Sequence, residues 1–144
     1  SADSVRDRVL AYQNPKIVRR IARDLEISVV EAEGIFQDTL RFLFLCGALH
    51  GQFAPATRVD DGWHAFLLFT EDYADFCGTF FGALIQHNPR DVGDNPSDGV
   101  IPRTKNAAKF FFGELSKNWS YKVGADCCNT CSCESCSGST NCQN

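Results

Sequence analysis

The chain has 144 residues, of which 44% are hydrophobic and 12 are Phe, enough apolar surface for one sizeable core and a tail. Fourteen Lys and Arg against 18 Asp and Glu leave a formal charge of -4, which argues against a nucleic-acid binder with a basic face. Apolar stretches such as Phe42 to Leu49 fall short of the roughly 20 residues that cross a bilayer, so no membrane span is expected.

The N-terminal SADSVRDRV lacks the charged-then-apolar pattern of a secretion signal. Val5, Val9 and Tyr12 instead recur at helical spacing, which predicts a first helix from Ala2 to Tyr12, with Asp3 near its positive end. Asn14-Pro15 breaks it. Pro15 suits the first turn of a second helix over Lys16 to Leu25, whose Ile17, Val18, Ile21, Ala22 and Leu25 form one face. Ser28 with Glu31 three residues on is a capping-box signature. It predicts a long third helix from Val29 to Leu49 that turns apolar on nearly every side after Phe42 and so stands at the centre of a bundle. A helix-turn-helix over residues 21–37 is disfavoured, because Glu31, Glu33 and Asp38 would face a polyanion.

Two shorter helices follow, Asp60 to Phe69 and a helix capped by Thr70 that runs to Ile85. In the latter Tyr73, Cys77, Phe80 and Leu84 form a stripe. Pro89, Pro96 and Pro102 mark a polar loop, and Thr104 is expected to cap a last helix from Lys105 to Trp119. The predicted fold is an all-α bundle of five or six helices over residues 1–124, with a Cys-rich tail over 125–144.

The blocks RFLFLCG at 41–47, Val-Asp-x-x-Trp-His at 59–64, LLFTEDYADFC at 67–77 and His87 with Pro89 together resemble the glycine-rich-domain-containing-protein-like family of bacteria and plants. The resemblance spans about residues 32–89, and FFFGELSKNW at 110–119 is similar to the family's closing positions. It implies little about activity. The family often carries further histidines where this chain has Phe66 and Gln86, so a multi-histidine site implied by the resemblance is thinned here.

Two groups of residues carry chemistry. Asp60 and His64 lie four apart, on one helical face, and an imidazole so oriented serves proton transfer or metal binding. If the chain folds back, Cys77 and His87 can join them, as a four-ligand zinc or iron site or as a thiol-imidazole pair for catalysis. The plain alternative is structural: a helix-capping Asp60, a buried Cys77 and a His87 at a helix end. The second group is the tail, where Cys127, Cys128, Cys131, Cys133, Cys136 and Cys142 give overlapping CxxC and CxC bites that favour Zn(II) or Cu(I). The two CxxC units lie too close together for a zinc finger, so a metallothionein-like cluster fits better. In an oxidising compartment the same cysteines pair as disulfides, with 15 pairings open.

The function expected from the sequence is a non-enzymatic metal-binding protein that holds its metal ion through the tail, cytoplasmic, with no organic cofactor. The alternatives are an enzyme or maturation factor using Asp60, His64, Cys77 and His87, or an exported protein-protein interaction module with a disulfide-stapled tail, Trp63 and the Pro-rich loop forming the contact surface.

Overall fold

The computed structural model describes residues 2–87 and 99–121, with side chains from Ser4 onward. Within them six α-helices and no strand occur: α1 (Ala2–Leu10), α2 (Pro15–Leu25), α3 (Val29–Ala48), α4 (Thr57–Leu68), α5 (Thr70–Phe81) and α6 (Val100–Phe112), followed by a 3-10 turn, Lys117–Trp119. The all-α bundle expected from the sequence is the fold found. None of the described helices is long and apolar enough to cross a membrane. The boundary expected at 124/125, all six tail cysteines, Pro89, Pro96 and the Asp3 side chain lie outside the described residues.

Helix α3 is the axis of the bundle and packs against each of the other helices that surround it. Its start is fixed locally: the Ser28 hydroxyl accepts from the Glu31 amide at 3.1 Å while the Glu31 carboxylate accepts from the Ser28 amide at 3.3 Å. That reciprocal box satisfies two otherwise orphaned donors. Leu40 and the run Phe42 to Leu45 are wholly buried, as an all-round apolar helix must be. Between α2 and α3 the chain turns through Glu26 in a left-handed conformation, φ 55°, at a position more often held by glycine.

An aromatic cluster locks α3, α4 and α5 to the turn that follows α1. Phe66 packs against Phe36, Phe76, Tyr73 and Tyr12 with ring centroids 5.1 to 5.9 Å apart, and Phe76 reaches on to Phe80. Burying a side chain of this size contributes about 2–3 kcal/mol. Gly62 lets α4 approach α3 closely, since a Cβ there would collide with the Thr39 hydroxyl.

Several helix ends differ from expectation, some through a distant partner and some through a local glycine. α4 begins three residues before Asp60, with Ala56 and not Asp60 at its N-cap. Its first amide, Thr57 N–H, donates to the Ser120 carbonyl at 3.4 Å, so a segment 63 residues away does the capping. α5 ends at Gly82, φ 75°, which removes Leu84 from the expected stripe. Thr70 is the first helical residue of α5, and Phe69 precedes it as N-cap. α6 begins at Val100 and ends at Gly113. Thr104 is thus buried inside the helix, donating to the Val100 carbonyl at 2.8 Å and accepting from the Ala54 amide at 2.9 Å.

Beyond α6 the chain is tied back by Asp38, a buried carboxylate on α3. It accepts from Arg41 at 2.9 Å, the Ser116 hydroxyl at 2.7 Å and the Asn118 amide at 2.9 Å. The 3-10 turn packs on α4 as well, and the residue that follows it, Ser120, accepts from the first amide of that helix.

Candidate functional site

Asp60 and His64 project from the same face of α4, as their spacing requires. The His64 Nε2 stands 3.7 Å from the Asp60 Oδ1. After Gly82 the chain doubles back, and His87 brings its Nε2 to 2.7 Å from the same oxygen. One ligand atom from each of the three residues falls within 4.8 Å of the others. A tetrahedral ion with bonds near 2.0–2.1 Å has its ligands about 3.3–3.4 Å apart, so the group needs only small side-chain adjustment to close around one. His64 is 56% exposed and His87 13%, so the group opens to solvent on the His64 side.

The return of His87 depends on a buried polar relay. The Trp63 indole N–H donates to the Tyr73 hydroxyl at 2.9 Å, and that hydroxyl donates to the Ile85 carbonyl at 2.6 Å. Trp63 thereby joins α4, α5 and the returning segment, and its ring packs on His87 with centroids 4.4 Å apart. His64 and His87 lie ring against ring at 4.7 Å. Burial raises the Tyr73 hydroxyl well above its ordinary pKa, which keeps it neutral and available as a donor. Beside Asp60, the Asp61 carboxyl is raised chiefly by burial, against the lowering influence of Arg58.

Three of the four residues singled out in the helical domain, Asp60, His64 and His87, therefore come together. Cys77 does not join them. It is wholly buried, and Tyr73 and the Ile85 backbone are the polar groups that face its thiol; burial is the main cause of its raised pKa. Neither a ligand nor a reactive thiolate suits that setting, because both need the deprotonated form. Cys46 behaves alike, its thiol pushed up to about 12 by burial. Trp63, expected at a contact surface, is buried with 4% exposure. The sequence reading missed the Trp63–Tyr73–Ile85 relay; the signal available was Tyr73 itself, because a tyrosine on a core stripe needs a partner for its hydroxyl.

A family model described as UCP032817-like matches residues 6–100, a span that takes in Asp60, His64 and His87 and stops at the first residue of α6. No curated protein and no solved structure matches. The expected membership of the glycine-rich-domain-containing-protein-like family is corrected by this match, which extends well beyond residues 32–89 into the two N-terminal helices. On a match covering about two thirds of its length, the chain belongs to the UCP032817-like family.

Proposed function

We propose that this is a metal-binding protein whose helical domain holds one divalent transition ion through Asp60, His64 and His87. The observation that carries the reading is the convergence of three ligand atoms within 4.8 Å, from residues that span 27 positions of sequence. Two imidazoles and one carboxylate suit Zn(II) or Fe(II). The outer partners support it as well: Trp63 and Tyr73 hold the segment bearing His87, the kind of second-layer support that metal sites depend on.

In this reading the six tail cysteines are further metal ligands, preferring Zn(II) or Cu(I), and they handle metal alongside the domain. A nucleophilic enzyme based on Cys77 is disfavoured by the burial of that thiol. The test is the metal content of the full-length chain after equilibrium dialysis against zinc, with all six tail cysteines changed to serine so that only the domain can bind. One zinc per chain is expected, and Asp60→Asn with His64→Ala should remove it. Retention of zinc by that double variant would sink the reading.

A further inference from the structure

We propose that the cavity between α3 and the segment following α6 is a binding site for a free α-amino acid with an apolar side chain. The cavity measures about 380 Å³, within the ~300–1,000 Å³ of small-molecule sites, and none of Asp60, His64 and His87 lines it. Gly34, Asp38 and Arg41 lie at i, i+4 and i+7, so one face of α3 forms a wall. At Gly34 that wall carries no side chain, and a Cβ there would meet nothing nearer than the Asn118 amide nitrogen at 3.8 Å. Phe112 and Leu115 supply apolar lining.

Three charged side chains line the cavity: Asp38, Arg41 and Glu114. The buried Asp38 carboxylate is already engaged by Arg41, Ser116 and Asn118, so its part is to hold Arg41 in place. The Arg41 Nη1 donates to it at 2.9 Å, and the guanidinium carbon stands 5.9 Å from the Phe112 ring centroid. A guanidinium has five N–H donors, and the bond to Asp38 uses one of them. The rest of the fork suits a carboxylate. Glu114 has no partner among the described residues. The Trp119 indole N–H is buried and has no acceptor among them either, a demand that a ligand oxygen can meet.

The balance of charge selects the ligand class. Arg41 and Asp38 cancel, and Glu114 leaves one negative charge on the lining. A simple carboxylic acid would set a second anion beside Glu114, and a simple amine would leave the Arg41 fork unused. A zwitterion answers both, with its carboxylate on Arg41, its ammonium toward Glu114 and its side chain against Phe112 and Leu115. Binding is non-covalent and asks nothing of the metal group.

Titration of the nitrogen-15-labelled, full-length chain with L-phenylalanine, followed by NMR, tests this. The chain has two Trp, so two indole N–H signals report on two places. The Trp119 signal is expected to move saturably while the Trp63 signal stays. 3-Phenylpropionate, without the ammonium, and phenethylamine, without the carboxylate, should each bind at least about tenfold more weakly, as loss of a charge-assisted bond requires. Arg41→Gln and Glu114→Gln should each weaken phenylalanine by a similar factor, with an unmoved Trp63 signal showing that the fold is kept. Glu114 is exposed, so its variant stands as the test even if Arg41→Gln disturbs the Asp38 contacts. A Trp119 signal that does not respond overturns the site. Equal binding of 3-phenylpropionate, or undiminished binding of phenylalanine by Glu114→Gln, overturns the zwitterion.

Discussion

His87 Nε2 stands 2.7 Å from Asp60 Oδ1, across 27 residues of sequence and between two different elements. Together with His64, 3.7 Å from the same oxygen, it turns a helix-borne Asp-His pair into a three-ligand group. His87→Ala should therefore lower zinc affinity by more than the ~10–100-fold that loss of an outer partner costs. His64→Ala should do the same with little change in thermal stability, because His64 is largely exposed. Calorimetric titration of the two variants in the tail-serine background checks both.

Tyr73 bridges Trp63 and Ile85. Tyr73→Phe keeps the ring in the core but leaves a buried indole N–H and a carbonyl without their partner. Stability should fall by about 1–3 kcal/mol. If the relay positions His87, zinc affinity should fall as well, by about 10–100-fold. Urea unfolding gives the first quantity and a zinc titration under native conditions gives the second. A stability loss with unchanged affinity would show that Tyr73 serves packing alone.

Asp38 joins α3 to the segment that ends at the 3-10 turn, accepting from Arg41, Ser116 and Asn118 while itself 5% exposed. Asp38→Ala leaves three donors unpaired, at a cost of about 2–3 kcal/mol. The loss should be local at first. Amide exchange is expected to speed up at Asn118 and Trp119 before it does so in the centre of α3.

Asp72, at the start of α5, accepts from the Asn14 amide at 2.7 Å and pairs with Lys16 at 2.9 Å. These two contacts, the Asn14 bond foremost, hold its carboxyl below the usual range. A carboxyl lowered in the folded state contributes stability that is present above its unfolded pKa and lost as pH falls through the folded value. Wild type should accordingly resist urea better than Asp72→Asn near neutrality, and the gap should narrow as pH drops below about 4. A gap independent of pH would argue that the pairing adds nothing through its charge.

The parts of the fold that were legible in the sequence are those written by neighbouring residues. Ser28 and Glu31 cap α3 within one turn, Pro15 opens α2, and the apolar run after Phe42 marks α3 as central. The illegible parts depend on distant partners: α4 starts where Ser120 can accept from Thr57, and Thr104 is drawn into the interior of α6 by its bond to Ala54. The site divides the same way. Asp60 and His64 meet through helical spacing alone, whereas His87 arrives only because Gly82 ends α5 early and Tyr73 ties down Ile85. Cys77 lay on the right stripe, but spacing says nothing about what faces a stripe, and what faces it is the core.

The most direct measurement is a zinc titration of the full-length chain with its six tail cysteines changed to serine, compared with the same chain carrying His64→Ala. One zinc per chain is expected in the first and a large loss of affinity in the second. Absence of zinc binding in the first, or equal binding in both, would contradict a metal centre at Asp60, His64 and His87.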